Sequence, residues 1–247
     1  PMSAYGDFQL FHGEEGNNWL GLGLAFFNGQ AGNGNLSLNR FEGFAAYHLQ
    51  LGRASMLSAG LSGSYAQRSV DFSKLTFDVQ WDGFTFNSDL PSNEIPGLAK
   101  TSYFDVGAGL NYAFFPNENV YVKLGAGIAH VNQPKESFYG NDNRLGIRPS
   151  VNLDGLFRMN ERFILNPSAY YTQQKGAYEL VYGMLFQYWL GGTGNEATQL
   201  LLGPYHRLGE SVIPAFGLEL GAVRVMGTYD FTISDIKDYN RSRGAFE

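Results

Sequence analysis

Four histidines, His12, His48, His130 and His206, are the side chains best suited to proton transfer near neutral pH, and with no cysteine in the chain a lipid hydrolase built on one of them would use a serine hydroxyl as nucleophile. A hydrolytic pair needs that hydroxyl and an imidazole at hydrogen-bond distance, with a third group orienting the ring. His130 is followed by Ser137, but the residues between them read as loop, and histidines at strand ends are commonly interfacial. Asp and Glu fall mainly in turns and loops, which gives little support to a glycosidase-like carboxylate pair. Gly21-Leu22-Gly23 and Gly125-Ala126-Gly127 begin like dinucleotide fingerprints but lack the third glycine and the following helix, and Gly191-Gly192-Thr193-Gly194 lacks the Gly-Lys-Ser/Thr of a phosphate loop. Asn141-Asp142-Asn143 has oxygen ligands for calcium, yet neither the spacing nor the closing Glu of an EF-hand, and reads as a solvated turn. The chain is therefore expected to be no enzyme, with no catalytic residue, cofactor or metal site.

The elements that hold these residues are read from a two-residue rhythm. Phe104, Val106, Ala108, Leu110, Tyr112 and Phe114 alternate with Tyr103, Asp105, Gly107, Gly109 and Asn111. Val120, Val122, Leu124, Ala126 and Ile128 alternate with Tyr121, Lys123, Gly125, Gly127 and Ala129. The same holds for Leu145, Ile147, Val151, Leu153 and Phe157 set against Arg144, Arg148, Ser150, Asn152 and Asp154. Side chains of a strand point alternately to its two faces, so each segment has one apolar and one polar face. When nearly every strand of a long chain is two-faced, the apolar faces must be covered by a second layer or by lipid. Lipid is the reading here, and the fold expected is an all-β, transmembrane, antiparallel up-and-down β-barrel.

Composition agrees. Hydrophobic residues make up 44% of the 247, enough for an ordered fold and one continuous architecture over 1–247. No stretch approaches the run of about 18 apolar residues a membrane helix needs, and mean hydropathy is −0.21, but polar lumen positions dilute that average in barrels. Thirty-two glycines, 15 tyrosines and 20 phenylalanines fit small interior residues and aromatic girdles. The lack of cysteine removes disulfides and thiolate sites and suits passage through an oxidising periplasm. A net charge of −6, with Arg241 and Arg243 the best basic cluster, argues against nucleic acid as a partner. Nothing at Pro1 resembles a signal peptide, so an export signal is expected upstream.

Strands are predicted at 4–12, 18–28, 36–51, 54–69, 102–115, 119–131, 144–158, 161–174, 176–190, 198–207, 211–220 and 223–232, with a last one beginning near Gly244. Compact turns at 52–53, 116–118, 160–161 and 191–196 oppose longer loops at 28–35, 70–101, 132–143 and 234–243, the asymmetry of short periplasmic turns and long extracellular loops. With 4–12 running inward and barrels closing on even counts, about 14 strands are expected in the full protein, the first missing and the last cut short.

Charges on the polar parity (Lys123, Arg144, Arg148, Asp154, Glu179, Arg224) would either line a selective pore or pair across the interior. Gly23, Gly60, Gly107, Gly125 and Gly127 on that parity serve either an inserted segment or close packing and strand curvature. The extracellular loop at 70–101 is far longer than a hairpin needs, and carries Phe72, Phe77, Trp81, Phe84 and Phe86 among acidic residues including Asp82 and Glu94. Its aromatics either bind a partner or fold inward and cap the barrel.

The run Ala66-Gln67-Arg68-Ser69-Val70-Asp71-Phe72-Ser73-Lys74-Leu75-Thr76-Phe77, the later Ser102-Tyr103-Phe104-Asp105-Val106, the loop Asn132-Gln133-Pro134-Lys135-Glu136-Ser137-Phe138 and the closing Gly244-Ala245-Phe246-Glu247 resemble the PorP/SprF family of Bacteroidetes, over essentially the whole chain. The resemblance implies a bacterial outer-membrane component of the type IX secretion system. Such a component works with other parts of that system in the export or surface attachment of adhesins and other cargo bearing a C-terminal sorting domain, in some members for gliding motility. It implies no enzymatic activity. Two departures are the absent amino-terminal segment and the missing strand after Glu247. The partner-binding surface expected is Phe72, Phe77, Trp81, Phe84 and Phe86, with Pro134 and Phe138 on the neighbouring 132–143 loop. Lipid bilayer and lipopolysaccharide would surround the barrel. A porin or small-solute channel is the alternative reading, and an outer-membrane lipid hydrolase the third.

Overall fold

The computed structural model describes residues 2–10, 18–32, 34–87, 89–93, 99–192, 198–235 and 244. The strands are β1 (Met2–Leu10), β2 (Trp19–Ala31), β3 (Leu36–Gln50), β4 (Ser55–Ser69), β5 (Lys100–Asn117), β6 (Val120–Ala129), β7 (Arg148–Arg158), β8 (Phe163–Gln174), β9 (Ala177–Gly191), β10 (Thr198–Arg207), β11 (Ser211–Leu220), β12 (Val223–Thr228) and β13 (Phe231–Thr232). Each pairs antiparallel with the next in sequence from β1 to β12, and β13 pairs with β11. The protein is thus an all-β, up-and-down antiparallel sheet. Among the described residues β1 has no ladder with β12 or β13.

Exposure along β5 is inverted relative to a protein folded for water. Phe104 is 72% exposed and Leu110 59%, whereas Asp105 is 4% exposed and Gly107 and Ala113 are buried. Cross-strand pairs share a face, so the register carries this division sideways. Leu61↔Ala108↔Ile128 falls on the apolar face and Ser62↔Gly107 on the polar one. The polar face is concave, since Arg40 of β3 reaches Asp105 of β5 at 3.3 Å across a buried Ser64 and Ala66 of β4. Leaving a leucine-sized side chain in water forfeits about 1.5–3 kcal/mol. A face bearing Leu24, Leu61, Phe104, Leu110, Leu124 and Val225 uncovered is a face made for lipid.

An aromatic row marks one edge of that band. Phe26, Phe41, Tyr65 and Phe104 are successive cross-strand partners, with ring centroids 4.7 Å apart for Phe26–Phe41 and 5.1 Å for Tyr65–Phe104. Phe114 lies at the other end of β5 on the same face. From Phe104 to Phe114 is roughly 34 Å along the strand at ~3.4 Å per residue, or about 25 Å across at a tilt of about 40°, the height of a barrel's apolar band.

Most element positions follow the sequence pattern, and the differences have local causes. Strand β7 begins at Arg148, not at 144, because Arg144 and Leu145 pair back onto Lys135 and Pro134 in a hairpin of their own. The strand expected at 223–232 is split in two around Tyr229 and Asp230. There Pro214 of β11 accepts from the Tyr229 N–H at 3.3 Å but has no N–H to return. Pro204 and Pro167 interrupt the β9–β10 and β7–β8 ladders in the same way, and the three prolines lie on one lateral row of the apolar face. The carbonyl of Gly155 that Pro167 leaves without its ladder donor accepts instead from the Asn166 side-chain amide at 3.0 Å. At the two-residue connection between β8 and β9, Lys175 (φ +46°) and Gly176 (φ +88°) both take the left-handed backbone of a type I′ hairpin turn. Of the strand expected near Gly244, only Gly244 lies within the described residues, with its N–H 3.2 Å from the Tyr229 hydroxyl.

Candidate recognition surface at the long-loop end

Strands β4 and β5 deliver the 70–101 loop, and β6 and β7 deliver a second excursion from His130 to Ile147, at the same end of the sheet. Short single-turn helices at Phe72–Lys74 and Asp78–Gln80 give the first loop its framework. The Asp71 carboxylate accepts from the Ser73 hydroxyl at 2.6 Å and its N–H at 3.1 Å, which together with Lys74 holds its pKa below the usual carboxylate range. Gln80 is buried, its side-chain amide donating to Leu90 O at 2.8 Å and its side-chain carbonyl accepting from the Phe77 N–H at 3.0 Å. Beyond it the chain doubles back in a miniature hairpin where Trp81 bridges Phe86, their rings edge to face at 5.1 Å. The Asp82 carboxylate accepts from the Thr85 and Phe84 N–H groups, each at 2.9 Å, and these bonds depress its pKa.

This frame presents aromatic surface outward. Phe84, at the turn, is 92% exposed, with Trp81 and Phe86 about half exposed beside it. Phe72, Phe77 and Phe138 are half-buried, and Pro134 is buried. The seven expected contact residues therefore separate into three that are exposed and four that are half-buried or buried.

The second excursion folds across the concave face. Its hairpin is closed by Glu136 N–H to Asn143 O at 2.9 Å and Leu145 N–H to Pro134 O at 3.0 Å. Asp142 at the turn is engaged by Lys135 at 2.9 Å and Arg144 at 3.3 Å, which lowers its pKa and occupies the carboxylate considered for calcium. Among the described residues no cluster of His, Cys, Asp or Glu is fit to hold a metal. Glu136 is buried and paired with Arg68 of β4. Below it, Asp105 lies 2.9 Å from His130 Nδ1 and 3.3 Å from Arg40, which is itself 3.3 Å from Glu42.

The histidines have partners other than a nucleophile with an orienting acid. His130, at φ +59°, turns to Asp105 rather than to Ser137. His48 meets the Ser58 hydroxyl at 2.8 Å and stacks on Trp19 at 4.7 Å. His206 meets the Tyr182 hydroxyl at 2.9 Å on the apolar face, and His12 lies outside the described residues. Of the charges expected on the polar parity, Lys123 pairs with Asp154 at 3.4 Å, Glu179 with Arg207 at 3.1 Å, and Arg224 with Glu219. Sequence reasoning missed Arg40, Arg68, Asp105 and Glu136 as a group. Parity was the usable signal for Arg40 and Asp105, while the Arg68–Glu136 pair joins a strand to a loop and has no sequence periodicity.

A sheet with a lipid-fitted face, a charge-paired concave face and elaborated loops at one end defines a membrane protein that crosses with strands. The family model described as type IX secretion system membrane protein PorP/SprF matches residues 3–247, and the chain belongs to that family. No curated protein matches it. Its role lies in type IX secretion, among the other components of that system in the membrane.

Proposed function

We propose that this chain is a non-enzymatic outer-membrane component of type IX secretion that captures secreted cargo or adhesins bearing a C-terminal sorting domain, through Trp81, Phe84 and Phe86. Adhesins of gliding motility would be held by the same contact. The exposure of Phe84 at the tip of a loop ordered by its own hydrogen bonds carries this reading. An aromatic residue held in water by a pre-formed turn has little further entropy to lose on binding, and such residues supply much of the energy at interface hot spots. Phe72, Phe77, Pro134 and Phe138, which are less exposed, would add contacts at the margin of the same surface. The apolar face would sit in a bilayer with lipopolysaccharide in its outer leaflet.

The test is a pull-down from detergent-solubilised outer membrane, comparing wild type with Phe84→Ala, Trp81→Ala and a folded deletion of 70–101. Phe84→Ala is expected to weaken capture by about 30-fold, the effect of losing ~2 kcal/mol at a hot spot. Equal recovery of cargo by all four proteins would remove the loop from the reading. Recovery by none, together with ion conductance in planar bilayers, would favour the porin alternative.

A further inference from the structure

We infer that the 130–147 segment is a strap latched over the concave face by Glu136, and that this carboxylate ties the strap to the β4 root of the 70–101 loop. The inference deepens the recognition reading by naming what positions its loop.

Three observations carry it. The first is placement. Arg68 and Tyr103 belong to the concave parity of β4 and β5, since Ala66↔Tyr103 and Ser64↔Asp105 are cross-strand pairs on that face. A segment that brings Glu136 to Arg68, with Pro134 and Glu136 both buried, is folded inward over that face rather than standing off it. The second is the position of its partners along the chain. Arg68 lies at the end of β4 just before the long loop, and Tyr103, within electrostatic reach of the same carboxylate, lies just after it. One carboxylate thus holds the point where the loop leaves β4 and lies beside the point where it re-enters the sheet.

The third is how the strap is hinged. Its first residue, His130, has φ +59° and turns its ring to Asp105. Asn132 then pins the strap to β5 through two side-chain bonds, to Phe104 O at 2.8 Å and from the Val106 N–H at 3.1 Å. Gln133, at φ +43°, turns the chain again into the inward run. At the far end the Gln174 side-chain amide of β8 holds Gly146 O at 2.9 Å. Between these fixed ends the hairpin makes its own hydrogen bonds, so it moves as one body when its inward contact fails. A carboxylate this buried is costly without its cation, which makes Arg68–Glu136 the contact whose loss releases the strap.

The chain has no cysteine, so a single reporter thiol is unambiguous. Ser137→Cys, one residue beyond Glu136, would be labelled with a maleimide in protein folded into vesicles. The backgrounds are otherwise wild type, Glu136→Gln, Arg68→Glu and the exchanged pair Arg68→Glu/Glu136→Arg. A second reporter, Ser73→Cys, would be read in parallel for the long loop. Glu136→Gln and Arg68→Glu are expected to speed labelling at position 137 by on the order of tenfold, and the exchanged pair to return it toward the wild-type rate. Heat-dependent gel mobility would confirm folding of each variant, and the isosteric Glu136→Gln carries the test if Arg68→Glu does not fold. Unchanged labelling at 137 in every background would overturn the latch. Faster labelling at 137 with none at 73 would overturn the tie to the long loop while leaving the strap. Neither result depends on any partner, so the latch and the recognition reading fail separately.

Discussion

Asp82 shows how one side chain prepares a surface. Its carboxylate closes the turn that lifts Phe84 out of the loop, and the two N–H groups that bind it lower its pKa. A group whose folded pKa is depressed stabilises the fold above its unfolded pKa, near 3.9, and that contribution is lost as pH falls through the folded value. The tip is therefore expected to hold its shape through neutral and mildly acidic pH and to loosen only below the ordinary carboxylate range. Trp81 emission, read with Trp19 and Trp189 replaced by Phe, checks this: the acid transition should move to higher pH, or vanish, in Asp82→Ala. A transition near neutrality would contradict it. The aromatics of this loop were legible as a group from composition and loop length. Which of them face water was not, because Gln80 and Asp82 set that through contacts with Leu90, Phe77, Phe84 and Thr85 that follow no periodicity.

Strands were the most legible elements, because a face that meets lipid punishes any break in alternation. Eleven of the predicted segments coincide with strands to within a few residues, except at the start of β7, and the twelfth divides into β12 and β13. The failures are instructive. Arg144 and Leu145 continue the alternation of 144–158 yet belong to a loop hairpin, since two strand-like arms produce the same rhythm wherever they pair. Pro167, Pro204 and Pro214 are visible in sequence, but only the register reveals that they share one row. Asn166 compensates for one of them, so Asn166→Ala would leave the Gly155 carbonyl without a donor in the membrane. A loss of about 1–3 kcal/mol is expected, measured by urea unfolding from vesicles. Replacing Pro167 by Val in the same background should recover part of that loss, because the new N–H would serve the same carbonyl. No recovery would show that the amide acts through other contacts.

At the scale of the whole molecule, the two faces of β5 should respond oppositely to the same charge. Leu110→Arg, on the apolar face between Phe104 and Phe114, is expected to cost about 2–4 kcal/mol of folding free energy in vesicles. Asn111→Arg, one residue away on the concave face, should cost far less. Equal costs would mean that the apolar face is not lipid-covered.

The alternation that sorts side chains between two faces also governs transit. A translocation channel diverts into its own membrane a chain segment that stays greasy for about 18 residues or more. In β5 the longest strand interrupts itself with Tyr103, Asp105, Gly107, Gly109 and Asn111, so no such segment arises although alternate residues form the apolar face. Replacing those five by leucine would join the apolar residues into one run over 103–115, well on the way to such a segment. On the outer-membrane placement proposed above, the glycines and polar residues of the concave face would thus also help decide which membrane the protein reaches, before any strand has formed.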